Sequence, residues 1–189
     1  LMREAKELYK ADRTRKDAFF RQPCFHDPQA EAQAMEKIRQ VVSAQMRFKP
    51  FFHSTDETGV ANLIEAWDFC FDPRTLAAMR QWLVGQYGSV EGINRQWGTN
   101  FQRLDDVAPL TTDEMMQRGD ENWSAWADHR TFMNLTFAKA ARKASDTVKA
   151  ADPAAIGGLV GGQAPGAFGG YDYWLLSKAI DVIEPYNIG

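Results

Sequence analysis

Residues 50–58 read PFFHSTDET, an apolar run that ends at once in an acidic pair, Asp56-Glu57. The run is short, aromatic and bounded by proline, which is typical of a buried β-strand. In α/β proteins, catalytic carboxylates are often placed at the C-terminal end of such a strand. Glu57 is therefore a candidate catalytic residue, although an acidic pair after a strand is more often part of a solvated loop.

Two further segments carry strand patterns. Residues 156–162 read IGGLVGG, and residues 181–186 read DVIEPY and again end near a carboxylate, Glu184. Helical patterns separate the three strands, and no two-residue hairpin turn joins them, so the sequence predicts an α/β fold with a parallel sheet. Because a complete eight-stranded barrel takes about 250 residues, the chain is either a small open sheet or part of a larger barrel.

Aspartate followed by proline marks the expected starts of two helices, because aspartate caps a helix and proline suits its first turn. The spacing of apolar residues indicates the others. We expect residues 1–20 to be a helix or a partly ordered lead-in with little buried surface, and residues 98–119 to be irregular. The predicted helices span residues 27–46, 72 to about 88, 90–97, 121–150 and 171–180.

The composition is that of a soluble globular chain, with 44% hydrophobic and 25% charged residues and a formal net charge of -3. Basic residues form no stripe, which argues against a nucleic-acid partner. No apolar stretch approaches the roughly 20 residues that span a bilayer, so no membrane partner is expected. The first residues lack the apolar segment of a signal peptide, and secreted, periplasmic and cytoplasmic locations all stay open.

The chain has only two cysteines, Cys24 and Cys70, too few for a disulfide scaffold or a four-thiolate metal site. A disulfide between them is one option, and two buried free thiols are the favoured one. His26 and His129 show no metal-ligand spacing, and Asp128-His129-Arg130 is expected on a helix surface or in pairing between helices. We therefore expect no metal and no cofactor.

Residues 82–101 read WLVGQYGSVEGINRQWGTNF and carry a more specific signal. They resemble a segment of glycoside hydrolase family 42, the β-galactosidase family of clan A, in which a helix ending in Trp-Leu and Tyr-Gly-Ser runs into Asn-x-x-Trp-Gly-Thr-x-Phe. The resemblance implies a partial (β/α)8 TIM barrel with approximately strands four to six and their helices. It makes residues 1–189 a fragment of a single barrel domain. The matching residues are Tyr87-Gly88-Ser89, Asn94, Trp97-Gly98-Thr99 and Phe101.

The same resemblance implies retaining hydrolysis of β-linked galactosides or related sugars, with Glu57 as general acid/base. The family has asparagine where this chain has Asp56, and an ionised aspartate accepts hydrogen bonds but does not donate them. The family's nucleophile follows strand seven, so it is expected beyond residue 189. Members with a cysteine cluster after strand four use it to bind zinc, but only Cys70 lies there, and no structural zinc is expected.

Residues near the predicted strand ends are candidate sugar contacts. Glu184 is expected to be a substrate contact or a structural residue rather than a catalytic partner of Glu57. His53 would line the same end of the predicted strands, unless it is a hydrogen-bonded core residue. Trp67 and Trp174 stand near strand exits, where flat aromatic faces could stack on sugars. The candidate substrate-binding residues are Asp56, His53, Trp67, Gln163, Trp174, Glu184 and Tyr186.

Three functions stay open at this stage. The leading hypothesis is a fragment of a retaining glycoside hydrolase that uses Glu57. The second is a catalytically inactive carbohydrate-binding or scaffold protein with a glycosidase-like barrel, for which Asp56 is the reason. The third is a small open α/β module that binds another chain through the uncovered edges of its sheet. The expected partners are a carbohydrate and either a second copy of the chain or the remainder of the barrel.

Overall fold

In the computed structural model the chain forms two compact units. Unit 1 comprises Leu1–His26 and Trp67–Met133, and unit 2 comprises Asp27–Ala66 and Asn134–Gly189. Within them, the described residues are 2–54, 68, 70–119, 121–162 and 171–185.

The described residues form seven α-helices and three β-strands. The helices are α1 (Met2–Ala11), α2 (Pro28–Gln45), α3 (Pro73–Tyr87), α4 (Val90–Trp97), α5 (Thr112–Arg118), α6 (Ser124–Ala151) and α7 (Tyr173–Ser177). The strands are β1 (Phe52–Ser54), β2 (Ile156–Gly162) and β3 (Val182–Pro185). No described helix has the length and apolar character that crossing a membrane would require.

The three strands belong to unit 2 and form one sheet in the order β1-β2-β3. Both pairings are parallel, and the helices between the strands make the crossovers that parallel pairing requires. The predicted α/β arrangement with a parallel sheet is confirmed. The register of β2 against β3 shifts between Val160 and Gly162, at the carboxyl end of β2.

Glycine in β2 allows two neighbours to approach the strand closely. A Cβ atom at Gly157 would lie 2.9 Å from Ser145 Oγ of α6, and one at Gly158 would lie 2.0 Å from the carbonyl oxygen of Val182 in β3. Both distances are shorter than van der Waals contact. The glycines of the predicted strand therefore serve the packing of the sheet against α6 and the pairing with β3.

The core of unit 2 lies between the sheet and the later turns of α6. α6 is 28 residues long and ends at Ala151, before Asp152-Pro153, as its sequence predicts. Its buried Phe137 packs edge-on against Tyr171, with 5.4 Å between the ring centroids. Leu159 of β2 and Leu176 of α7 are also buried. α7 covers only residues 173–177 and is therefore shorter than the helix predicted over residues 171–180.

α2 begins as its Asp-Pro pair predicts. The Asp27 carboxylate accepts hydrogen bonds from the amides of Gln29 and Ala30, and Pro28 occupies the first turn. Val42 is the one buried residue of this helix, so the apolar face predicted for it is only partly covered by the described residues.

In unit 1, α3 and α4 follow the predicted boundaries. Asp72 caps α3, and the helix continues through Gly85 to end at Gly88, which has a positive φ of 81°. Ser89 then caps α4 by accepting a hydrogen bond from the Gly92 amide. The buried side chains at the centre of this unit include Met79, Leu83, Ile93, Trp97 and Val107.

Two expectations for unit 1 are wrong. Residues 98–119 are not irregular throughout, because α5 forms within them behind a capping box in which Thr111 and Glu114 bond to each other's backbone amides. The lead-in is not peripheral either, since Tyr9 and Phe19 are buried with their ring centroids 4.4 Å apart. The two aromatic side chains are buried although most of their neighbours in the sequence are charged or polar.

Candidate functional site

The acidic pair follows the carboxyl end of β1 in the sequence. β1 ends at Ser54, three residues before Glu57. The catalytic prediction for Glu57 and the contacts predicted for four neighbours of the strand ends lie outside the described residues. Those four are Asp56, Trp67, Gln163 and Tyr186.

His53 is the middle residue of β1 and is 5% exposed. Its Nδ1 lies 3.1 Å from Oε1 of Gln45, the last residue of α2, and its Nε2 lies 3.5 Å from Oδ2 of Asp152, just after α6. Both ring nitrogens thus face groups of the protein itself, which matches the core alternative weighed for this residue. Contact with a sugar remains a prediction for His53.

Glu184 lies in β3 close to the carboxyl end of the strand and is exposed. Its Oε2 accepts a hydrogen bond of 3.0 Å from the amide of Gly161. Gly161 has a positive φ of 70° and sits where the β2–β3 register shifts. The carboxylate therefore stabilises the irregular end of β2, which is a structural role. Substrate contact by Glu184 remains a prediction.

Trp174 is in the first turn of α7 and is 70% exposed. The ammonium group of Lys178 lies 3.9 Å from the centre of its ring, which is cation–π geometry. Asp172 caps the helix with a 3.0 Å bond from the Leu175 amide. The indole is thus accessible and held on a defined element, as a sugar-stacking residue would need to be.

A further carboxylate of unit 2, Asp181, was not anticipated as a contact residue. One of its oxygens lies 2.7 Å from Nζ of Lys149, and the other accepts a 3.1 Å bond from the amide of Gly157. Hydrogen bonding from Lys149 lowers the pKa of Asp181. Asp181 ties α6, β2 and the start of β3 together at the opposite end of the strands from Glu184.

The segment that resembles family 42 is explained by hydrogen bonds within unit 1. Asn94 Oδ1 accepts from the Thr99 hydroxyl at 2.8 Å and from the Phe101 amide at 2.9 Å, and Asn94 Nδ2 donates to the Phe101 carbonyl. Gly98 between them has a positive φ of 63°. The spacing Asn-x-x-Trp-Gly-Thr-x-Phe thus encodes the chain reversal after α4.

The tyrosine and tryptophan of that segment share one partner. Asp128 of α6 accepts hydrogen bonds from the Tyr87 hydroxyl at 2.9 Å and from the Trp97 indole nitrogen at 2.6 Å. Burial, together with the neighbouring Asp128 carboxylate, raises the pKa of Tyr87 to about 12. The phenol therefore stays protonated and donates to Asp128 at any ordinary pH, which fixes the ends of α3 and α4 to α6.

The two residues after Asp128 are buried, so the expectation of a helix surface is wrong for them, whereas the bonds from Tyr87 and Trp97 to Asp128 confirm the alternative of pairing between helices. Arg130 forms an ion pair with Asp68, whose carboxylate also accepts hydrogen bonds from the amide and hydroxyl of Thr112. Burial raises the pKa of Asp68, while the Arg130 charge opposes this rise. His129 is fully buried, and burial lowers its pKa to about 3.

Both cysteines are buried free thiols, which confirms the favoured option for Cys24 and Cys70. Across the described ranges, no three His, Cys, Asp or Glu side chains are grouped in a way that would hold a metal ion.

The family model Glyco_hydro_42, described as beta-galactosidase, matches residues 5–187. The chain belongs to glycoside hydrolase family 42. No curated protein matches its sequence significantly.

Solved β-galactosidases share the fold of this family 42 chain. The enzyme from Bacillus circulans sp. alkalophilus aligns with a TM-score of 0.67 and 18% identity over 88% of this chain and 24% of its own. The cold-adapted enzyme from Rahnella sp. R3 gives 0.63 and 18% over 87% and 23%, and the one from Halorubrum lacusprofundi gives 0.66 and 15% over 87% and 24%. The chain thus spans about a quarter of the length of these relatives. Its α/β fold is similar to that of TIM-barrel β-galactosidases.

Proposed function

We propose that this chain is the central part of a retaining glycoside hydrolase that cleaves β-linked galactosides or related β-glycosides, with Glu57 as general acid/base. Membership of family 42 and the fold shared with solved β-galactosidases support the reaction class. The observation that carries the role of Glu57 is the position of β1, a parallel strand whose last residue, Ser54, comes just before the acidic pair. Carboxyl ends of parallel strands are where α/β enzymes bind their ligands.

Retaining hydrolysis uses two carboxyl groups about 5 to 5.5 Å apart. In the first step Glu57 would give its proton to the glycosidic oxygen while a second carboxylate attacks the anomeric carbon. In the second step Glu57 would take a proton from the water that releases the sugar. Glu57 must therefore be protonated at the start, and the negative charge of the adjacent Asp56 would favour that form. The nucleophile would come from outside this chain.

The three strands are proposed to be strands four, five and six of one eight-stranded barrel domain that includes residues 1–189. Their consecutive order and parallel pairing are what neighbouring barrel strands have. The sheet edges at β1 and β3 would then be covered by the remainder of the barrel or, in the isolated chain, by a second copy. Sedimentation of the 189-residue chain tests the covering by a second copy, because a chain that stays monomeric would count against it.

Sugar binding is proposed for the candidate residues around these strand ends. Trp174 has the best support, because its indole is exposed and held on α7. Glu184 is exposed at the same end of the sheet, but its carboxylate already holds Gly161. His53 has the least support because it is buried. Asp56, Trp67, Gln163 and Tyr186 are proposed from their positions in the sequence alone.

The test is turnover of aryl β-galactosides by the full-length protein and its Glu57→Gln variant. Loss of the general acid should lower kcat/KM by roughly a hundredfold or more. Glu36→Gln is a matched control, because Glu36 is an exposed carboxylate of α2 that pairs with Arg39. The control should keep full activity, and the anomeric configuration of the first product, followed by NMR, should be that of the substrate.

Equal turnover by the wild-type protein and Glu57→Gln would remove Glu57 from the mechanism. An inverted first product would exclude retention. No turnover by either protein, combined with saturable galactoside binding, would instead support a catalytically inactive carbohydrate-binding protein.

A further inference from the structure

Four side chains of unit 1 meet at one point. Cys24 and His26 come from the segment before α2, Cys70 precedes α3, and Thr75 lies in the first turn of α3. We refer to these four residues as the thiol cluster. Cys24, Cys70 and Thr75 are buried, and His26 is half-buried.

The hydroxyl of Thr75 is the centre of the thiol cluster. Its Oγ1 lies 3.3 Å from Cys24 Sγ and 3.2 Å from His26 Nδ1. Two side chains of the segment before α2 therefore contact a single oxygen atom of α3. Each of them comes from a residue type that binds zinc in other proteins.

The position of Thr75 Oγ1 follows from the local structure. Asp72 caps α3 and Pro73 fills its first position, so Thr75 falls in the first turn with its side chain buried. Backbone amides hold the neighbouring sulfur, because Cys70 Sγ accepts from the amides of Arg21 at 3.2 Å and Asp72 at 3.4 Å.

The family resemblance implies that members with a cysteine cluster after strand four bind zinc there. The thiol cluster could have that role only if its residues fit a metal ion. Zinc would sit about 2.3 Å from each sulfur and about 2.0 Å from a ring nitrogen. Here Thr75 Oγ1 holds the shared centre at hydrogen-bond distances. Among the described residues, no three His, Cys, Asp or Glu side chains are grouped so that they could hold a metal ion. The residues do not fit a zinc site.

We propose that the Thr75 hydroxyl takes the place of a metal ion at this point of the fold. It joins Cys24 and His26 to the first turn of α3 through hydrogen bonds, while the amides of Arg21 and Asp72 hold the Cys70 sulfur, so that unit 1 folds and stays folded without zinc. The thiol cluster links the segment before α2 to the first turn of α3, which is the structural task that a zinc ion would otherwise perform. This inference does not depend on the catalytic role of Glu57.

The first experiment compares thermal unfolding of the 189-residue chain with its Thr75→Val and Thr75→Ser variants. Valine keeps the shape but leaves the buried partners without the hydroxyl, so the melting temperature should fall by about 5 °C. Serine keeps the hydroxyl and should stay within about 2 °C of the wild-type value. Thr136→Val is the matched control, because Thr136 is a buried threonine of unit 2.

The outcomes of this comparison are decisive in either direction. A larger loss in Thr75→Val than in both Thr75→Ser and Thr136→Val supports the hydroxyl as the centre of the thiol cluster. Equal melting temperatures for the valine and serine variants, or an equal loss in Thr136→Val, would overturn it.

The second experiment uses the unmodified chain and needs no variant to fold. Zinc content is measured by elemental mass spectrometry after purification, and the melting temperature is compared with and without a chelator. We expect zinc far below one equivalent, no effect of the chelator, and no thiolate-to-metal absorption band when Co²⁺ is added. Stoichiometric zinc that the chelator removes with a drop in melting temperature, or a thiolate–cobalt band, would overturn the proposal.

Discussion

The two units use polar groups in different ways. In unit 1 such groups pair with one another and tie helices to irregular segments, as Asp68 does with Arg130 and Thr112. In unit 2 an apolar sheet packs on α6 through glycines, and its carboxylates lie near the strand ends, where Glu184 and Asp181 bind backbone amides. Unit 1 therefore depends on buried polar pairs, while unit 2 depends on strand pairing and close packing.

The largest expected effect tests the polar core of unit 1. Arg130→Met should lower the free energy of unfolding by about 3–5 kcal/mol, because the buried Asp68 carboxylate loses its counter-charge. Hydrogen exchange followed by mass spectrometry should show the loss of protection first in unit 1. The double variant Asp68→Asn with Arg130→Met is the control and should recover about half of the loss, since it removes both charges. A loss of less than about 1 kcal/mol in the free energy of unfolding of Arg130→Met would contradict the contrast between the two units.

The next effect tests the close packing in unit 2. Gly158→Ala should cost about 2–3 kcal/mol, because the new methyl group would meet the Val182 carbonyl at 2.0 Å. Gly85→Ala is the matched control: Gly85 lies inside α3 with nothing within 4 Å of the added atom, so alanine there should stabilise the chain by roughly 0.4–1 kcal/mol. Chemical denaturation measures both changes. A tolerated alanine at Gly158 would mean that β2 and β3 are not held in this register.

The smallest effect is the dependence of unit 1 on pH. The pKa of His129 is lowered to about 3 by burial, whereas an unfolded histidine titrates near 6.5. The unfolded state therefore binds the proton first, so stability is fully present above about pH 6.5 and falls as the pH drops toward 3, by up to about 1.4 kcal/mol per pH unit. At pH 5 the loss should be about 2 kcal/mol. Unfolding curves at pH 5 and 7 check this, and His129→Phe should remove that part of the slope; an unchanged slope in the variant would refute it.

How much the sequence predicts depends on the range of the interactions. Asp27-Pro28 and Asp72-Pro73 act on their own helix starts, so those boundaries were predicted correctly. The Thr111–Glu114 capping box is also local. It is visible in the sequence as Thr-x-x-Glu, a pattern that is sufficient to predict the start of α5. The burial of Arg130 was not predictable in this way, because its partner Asp68 lies 62 residues away.

The candidate site shows the same limit. The strand that ends before Glu57 and the one that carries Glu184 follow from short apolar runs with flanking turn residues. The bond from the Gly161 amide to Glu184 does not, because it depends on a register shift between two strands. For His53 the sequence leaves two alternatives, a hydrogen-bonded core residue and a residue that lines the strand ends. The side chain is buried next to Gln45 and Asp152, and the sequence of β1 alone does not predict these neighbours.

The burial of both cysteines has a practical consequence for spectroscopy. Buried structural thiols react slowly with alkylating reagents, and Cys24 and Cys70 are the only two in the chain. A cysteine introduced at an exposed position such as Lys37 on α2 would therefore take up a fluorophore or spin label selectively. Local motion of unit 2 can be recorded in this way while the natural thiols stay in place.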